Sequence, residues 1–374
     1  MKIVKFIPSF YGGGGESLAV TLANSLVEQG DEVLIVSVNG SEKKDSKYKK
    51  IIKKLDPKVK VIFLEKEHGV FVFLKNLLIL IQYLIKNKYE VFHSHLSGIY
   101  LYLFLFFFFN VKKIHTIHSL PDVEARGKIK FIYQLLNRIG VEFVAISSEL
   151  KIKSDIYFGF ATKKVVNGVA EVKASVNKNS FYNELSIPEC DLVIVQIGRL
   201  YFEKNQIFTI NNFENLFSLF NGNISLVIIG EDPTNEQVYY KLIDEKYNAL
   251  PSEVKSKIHF LGYKENVHDY FSISDLLLIT SKYEGLPLVI LEAAQHSLPV
   301  ITTDVGGVRE IVNDDNSYIY QVDDKRSFLS IFSEIKKNPS TLSIKGSLLH
   351  ELYISSFTDT KMAEQYKALY SEKE

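Results

Sequence analysis

Short β-rich runs alternate with segments of helix length along almost the whole chain, and the alternation starts twice. The runs "KIVKFIP", "DEVLIVSVN", "KVKVIFL", "YEVFHSH", "KKIHTIH" and "EFVAISS" come first. After the polar stretch "AEVKASVNKNSFYNELSIPEC" the pattern resumes with "DLVIVQIGR", "SLVIIGE", "KIHFLGY", "DLLLITS" and "PVITTD". Strands joined by connections of helix length cross over to parallel neighbours, so each series predicts an α/β, doubly wound parallel sheet. At 374 residues the chain is too long for one ordinary core and suits two such domains. They are expected at residues 1–184 and 185–355. The amphipathic tail "SSFTDTKMAEQYKALY" predicts a helix within 356–374 that packs back on the first domain.

Composition narrows the setting. With 46% hydrophobic and 24% charged residues the chain reads as globular, and the single Cys190 excludes a disulfide framework and fits a reducing compartment. The opening "MKIVKFIPSFYGGGG" has no apolar run of signal-peptide length, because Pro8 and the glycines interrupt it. A cytoplasmic location is therefore expected, with peripheral placement on the inner face of the membrane as an addition to it. The net charge of zero hides an asymmetry: residues 1–184 hold 27 Lys+Arg against 17 Asp+Glu, a net of +10, and the remainder carries −10. Nine of the lysines fall between Lys43 and Lys60. Such a run serves either as a solvated surface or as a face for anionic phospholipid. No nucleic-acid partner is expected.

Two apolar segments bear on the membrane question. "VFVFLKNLLILIQYLIKN" is interrupted by Lys75, Asn76 and Gln82, and "IYLYLFLFFFF" runs from Ile99 to Phe109. Neither supplies the ~18–20 uninterrupted apolar residues of a spanning helix. The first is expected to be buried against the sheet, while an interfacial contact stays open for the second.

Phosphate chemistry enters at three places. "SFYGGGGESLAVTLANSLVEQG" follows the first strand and opens a helix, so the amides of the glycine run can approach a phosphate at a helix N-terminus. A dinucleotide fingerprint fails there: Ser17 stands at the third glycine position of a G-x-G-x-x-G match from Gly12, and the second strand ends at Asn39 without the expected acidic residue. In the second domain the first strand ends "QIGRLYFEKNQ", leaving Arg199 and Lys204 at the edge where open α/β sheets bind ligands. Two cations there can clamp a pyrophosphate, or simply stay solvated. The third place is "DLLLITSKYEGLPLVILEAAQH", a buried strand, then Glu284 in a turn, then a helix with Pro287 near its start and Glu292 about one turn inside. The amides around Leu286 to Val289 lie between the two carboxylates.

Glu284 and Glu292 form an E-x7-E pair. Together with "GLPLVILEA", "LPVITTDVGG", "IGRLYFEKN", the early "GGGE" and "HTIHS", they resemble a retaining glycosyltransferase of family 4, over nearly the whole chain and in the right order. The resemblance implies the GT-B fold, two Rossmann-like domains facing across a cleft, and it implies roles. Glu284 would contact donor sugar hydroxyls, and Glu292 would hold the nucleotide ribose. Arg199 and Lys204 would bind the donor diphosphate, with Gly13, Gly14 and Gly15 beside it. Gly285, Leu286, Pro287 and Leu288 would line the donor site, and His118 would stand near the anomeric centre. The chain has no D-x-D sequence, so neither a metal nor a cofactor is expected, and the two cations would stabilise the departing diphosphate.

The implied reaction moves a sugar from a nucleotide sugar, uridine-based, onto a glycan or lipid-linked oligosaccharide acceptor, with α-linkage, in bacterial polysaccharide, O-antigen or capsule biosynthesis. A nucleotide-sugar epimerase on the same fold and a non-catalytic glycan-binding module are the alternatives. Three details stand apart. Ser297 occupies a turn where the family usually has glycine. "VVNGV", around Asn167 to Val169, matches a common family segment of undefined role. His93 and His95 of "FHSHL" also fit the pattern, with strand-end packing expected for His93.

Overall fold

The computed structural model describes residues 1–10, 14–40, 52–105, 109–174, 178–234 and 236–372. The chain forms two compact units, Met1–Ala170 with Phe357–Glu374, and Glu171–Ser356. The division thus falls fourteen residues before the one expected at residue 184. The reason is the helix Lys178–Leu185. Its Tyr182 hydroxyl donates to Ile273 O at 2.9 Å, and Phe181 meets Tyr270 edge-on at 5.1 Å, which ties this polar-looking stretch to the second unit.

The first unit is built on a seven-stranded sheet in the order β3-β2-β1-β4-β5-β6-β7. Its strands are β1 Lys2–Ile7, β2 Glu32–Ser37, β3 Lys60–Phe63, β4 Val91–His95, β5 Lys112–Ile117, β6 Val141–Ala145 and β7 Lys163–Lys164. All pairings are parallel. The central strands are buried almost end to end because helices cover both faces. One covering layer consists of the helix Gly14–Glu28 and the returning tail helix Asp359–Ser371. Leu18, Leu22 and Leu26 of the former and Met362, Ala363, Tyr366 and Tyr370 of the latter share a core with Ile3, Ile7, Val91 and Ile114 of the sheet. "VVNGV" acts as the clasp: Val169 N–H donates to Phe357 O at 3.0 Å and Asp359 N–H to Val169 O at 3.1 Å. A Cβ on Gly168 would stand 2.2 Å from Thr358 O, so only glycine allows this approach.

The segment expected to be buried against the sheet is corrected. Val70–Asn87 forms one continuous 18-residue helix, apolar and long enough to cross a membrane by length and composition, with only 28% of it buried. Phe73, Leu77, Leu80, Ile81 and Leu84 make the buried stripe, at helical spacing. Val70, Phe71, Leu74, Leu78, Ile79 and Ile85 face outward, and Phe71 is 90% exposed. Lys75 and Gln82 do not break the helix, since straight polar side chains cost a helix little and reach solvent from an exposed position. The aromatic run divides between core and surface. Ile99, Leu101, Tyr102 and Leu105 are buried, whereas Leu103 and Phe104 are about 40% exposed, and Phe104 packs against Phe73 at 6.0 Å. Phe106 to Phe108 and the lysines from Lys43 to Lys50 lie outside the described residues.

The second unit has a six-stranded sheet in the order β10-β9-β8-β11-β12-β13. The strands are β8 Leu192–Ile197, β9 Ile224–Ile229, β10 Ile258–Phe260, β11 Leu276–Ile279, β12 Val300–Thr303 and β13 Tyr318–Tyr320, again all parallel. Strand order reverses between β8 and β11, and ligands of such sheets bind beyond the carboxyl ends at that switch point.

Candidate active site

β8 and β11 deliver the two halves of one site. Beyond β8 the chain turns through Gly198 and Arg199 to Lys204, whose aliphatic stem lies 3.5–3.6 Å from the place a Gly198 Cβ would occupy. Beyond β11 come Thr280, Ser281 and Glu284. Lys204 Nζ donates to Glu284 Oε1 at 2.6 Å, and Ser281 Oγ donates to the same oxygen at 2.6 Å. The pair is sheltered, with Glu284 at 10% and Lys204 at 25% side-chain exposure. Thr280 fixes the cation's backbone, because its hydroxyl stands 2.9 Å from Lys204 O and 3.0 Å from Asn205 O. Both of these hydrogen bonds fall on Oε1, so Oε2 is the oxygen of Glu284 that could accept from a further hydroxyl.

The glycine pair after β12 completes the turn. Gly307 N–H donates to Gly285 O at 2.7 Å. A Cβ on Gly306 would fall 1.6 Å from Glu284 O and one on Gly307 2.2 Å from Gly285 O, so no side chain fits where these backbones meet. The helix Leu288–Ala294 then begins, with Pro287 as its N-cap, one position earlier than a first-turn proline. Helix geometry leaves the amides of Leu288 and Val289 without intrahelical acceptors. Leu286 is buried, and Glu292 sits partly buried one turn into the helix.

Arg199 stands apart from the Lys204–Glu284 pair. Its side chain is 66% exposed and lies 4.0 Å from Glu203. It borders a cavity of about 350 Å³ at the carboxyl ends of β8 and β9, which Gly230, Glu231, Tyr263, Lys264 and Val267 also line. Sequence reasoning missed these residues. The signal was the strand endings "VIIGED" and "FLGYKEN", each a glycine at a strand end followed by polar groups.

In the first unit, β4 and β5 bring a histidine cluster together. His118 Nε2 lies 3.0 Å from His95 Nδ1, and His118 N–H donates to Glu124 Oε2 at 3.0 Å. Glu124 also accepts from the Ser119 amide and hydroxyl, both at 3.1 Å, and lies 3.2 Å from His115 Nε2. Burial would raise the Glu124 carboxyl, but the hydrogen bond and charge of His115 hold it below its ordinary value. Burial pushes His118 down to about 4, against the pull of Glu124, so the ring is neutral at neutral pH. Gly14 and Gly15 open the helix Gly14–Glu28 beside this cluster: a Gly15 Cβ would come 3.3 Å from His118 Cγ and 3.1 Å from Leu96 Cδ1. Gly13 lies outside the described residues. His93 is a packing residue, fully buried, with Nδ1 2.7 Å from the Tyr370 hydroxyl and Nε2 2.8 Å from Thr116 Oγ1.

Two doubly wound parallel-sheet units, the second with a lysine–glutamate pair at its switch point, match the GT-B class of fold. The profile described as Glycosyltransferase Family 4 matches residues 12–165, and that described as Glycosyl transferases group 1 matches residues 177–344. The chain belongs to glycosyltransferase family 4. It is 24% identical over 314 residues, 79% of each chain, to the UDP-Gal:alpha-D-GlcNAc-diphosphoundecaprenol alpha-1,3-galactosyltransferase of Escherichia coli. It is 27% identical over 326 residues, 84% of this chain and 83% of the other, to the GalNAc-alpha-(1->4)-GalNAc-alpha-(1->3)-diNAcBac-PP-undecaprenol alpha-1,4-N-acetyl-D-galactosaminyltransferase of Campylobacter jejuni. Among solved structures, a glycosyltransferase from Rickettsia africae superposes with a TM-score of 0.82 at 18% identity, over 99% of this chain and 97% of that one. Anabaena HepE, solved in complex with UDP, superposes with a TM-score of 0.81 at 17% identity, over 99% and 100%.

Proposed function

We propose that this glycosyltransferase moves a sugar from a uridine nucleotide sugar onto a lipid-diphosphate-linked acceptor with retention of the anomer, without a metal ion. The observation that carries the reading is the Lys204–Glu284 pair at the β8/β11 switch point, one cation and one carboxylate on a single anchor. Lys204 has hydrogens to share between Glu284 and a diphosphate, and Arg199 adds a planar fork at the mouth of the neighbouring cavity. As the C1–O bond breaks, negative charge grows on the leaving diphosphate, and these fixed cations are worth more in that state than in the ground state. Glu284 holds a sugar hydroxyl through Oε2. Its other oxygen is tied to Lys204 and Ser281, which suits an anchoring carboxylate better than an attacking one. The acceptor hydroxyl then attacks from the face the diphosphate leaves, and its proton passes to the leaving phosphate oxygen. Glu292 holds the ribose, the cavity lined by Tyr263 and Glu231 takes the base, and His118 is a catalytic residue. The printed substrates of the E. coli and C. jejuni relatives support an undecaprenol-linked acceptor.

An acceptor on a lipid carrier calls for a membrane face. The outward stripe of the helix Val70–Asn87 with Leu103 and Phe104, flanked by exposed Lys66, Lys75, Lys86 and Lys88, has the chemistry for shallow insertion at an anionic surface. The test of the donor site is calorimetry with UDP. Lys204→Ala and Arg199→Ala should each weaken UDP binding and lower turnover by roughly 2–4 kcal/mol of transition-state stabilisation. Wild-type UDP affinity in both variants would remove the diphosphate clamp from the account.

A further inference from the structure

Among the buried polar atoms of the first unit that lack a hydrogen-bond partner among the described residues are Lys5 Nζ and His95 Nε2, and His95 is the residue that His118 Nε2 meets at 3.0 Å. Lys5 on β1 is in register with His93 on β4, so the two side chains share a face of the sheet, and His95, two residues on, shares it too. Lys5 and His95 are completely buried, and the His93 and His95 rings stack at 4.2 Å. Among the described residues no carboxylate pairs with Lys5, and an ammonium held there would carry its desolvation cost uncompensated. Burial accordingly lowers the Lys5 amine well below its ordinary value. A neutral amine is a good lone-pair acceptor and a weak donor. His118 uses Nε2 for His95 and its backbone amide for Glu124, so Nδ1 is the ring nitrogen that could meet a ligand.

We propose that Lys5, acting through His95, holds His118 in the Nε2–H tautomer, so that His118 Nδ1 presents a lone pair to a sugar or acceptor hydroxyl. Every contact in the chain takes one proton. His95 Nε2–H donates to one bridging water, which in turn donates to the lone pair of the Lys5 amine, since the two side chains make no direct hydrogen bond. His95 Nδ1 is then bare and accepts from His118 Nε2–H across the 3.0 Å contact, and His118 Nδ1 is left bare in turn. The opposite arrangement would have the water accept one of the amine's weak hydrogens to serve a bare His95 Nε2, and would turn His118 into a donor. His93 and His115 leave this proton order undisturbed, because hydroxyls satisfy His93 on both nitrogens and His115 is held between Ser94 and Glu124. Burial keeps His93, His95 and His118 from ionising at neutral pH. Lys5 is thus a positioning residue, one of the outer groups that fix an imidazole's tautomer.

The inference rests on His118 acting in the reaction, and two readouts keep the two ideas separate. Ring-nitrogen shifts of histidine-labelled full-length protein should give His118 a pyrrole-like Nε2 and a pyridine-like Nδ1. Lys5→Met should move the population to Nδ1–H and lower kcat by about tenfold or more with the donor KM unchanged, whereas Lys5→Gln, whose amide oxygen accepts from the same water, should restore both. An Nδ1–H or doubly protonated His118 in the wild type overturns the proposal even if no variant folds. An unchanged tautomer in folded Lys5→Met overturns it as well. Full activity of His118→Ala would instead remove His118 from the reaction and leave the tautomer result standing.

Discussion

Ser297 shows how much one residue of a motif can disclose. Its φ of 53° is left-handed, the conformation that the family's usual glycine takes without strain, and serine pays for it in backbone energy. Ser297→Gly should raise the stability of the protein by up to about 1 kcal/mol in urea unfolding, and a loss of stability would contradict the strain. The two glutamates divide more sharply. Glu284→Gln loses the charge that holds Lys204 and should mainly lower kcat, while Glu292→Gln should mainly raise the donor KM; identical profiles for both variants with two donors would refute the division. The histidines set a pH dependence. His118, His93 and His95 are depressed in the folded state by burial, while unfolded histidine titrates near 6.5. Between pH 6.5 and about 4 the unfolded chain therefore binds more protons, and stability must fall as pH falls through that window. A melting temperature that stays flat from pH 7 to 5 would contradict neutral, buried rings.

At the scale of elements, the strands and the tail helix were legible because β-rich runs and an amphipathic period are local signals. β7 and β13 were not, since two or three residues carry no period. The helix Val70–Asn87 was misjudged for a physical reason. Its apolar residues run all round, and only packing decides that the stripe of Phe73, Leu77 and Leu84 turns inward while Phe71 and Leu78 turn outward. That outward face gives a direct prediction. Phe71→Asp with Leu78→Asp should abolish sedimentation with anionic vesicles while the fold is kept, because both side chains are exposed, at 90% and 62%. Lys53→Glu with Lys54→Glu should weaken the same binding and steepen its loss with salt. Equal recovery of the wild type in the supernatant with anionic and neutral vesicles would mean that the apolar face serves something other than lipid.

At the scale of the whole molecule, the restart of the strand pattern was enough to read two doubly wound sheets, and E-x7-E was enough to find the switch point. The unit boundary was not readable, because Phe181 and Tyr182 are anchors hidden in a polar stretch. The cavity beside Arg199 was not readable either, since it is assembled from loops after β8, β9 and β10 that are neighbours only in the sheet. The placement of Lys5 on one face of the sheet with His93 and His95 needed the register of β1 on β4. The account of the molecule as a metal-independent, retaining transferase meets its most direct test in one reaction. The full-length protein is incubated in excess EDTA with a set of UDP-sugars and a sugar-diphosphate-lipid acceptor, with nucleotide release and product mass followed together and the new linkage assigned by NMR. The prediction is UDP released in step with an acceptor one sugar heavier and α-linked. Free or epimerised sugar with the acceptor unchanged, a β-linkage, or activity that returns only when a divalent metal is restored would contradict it.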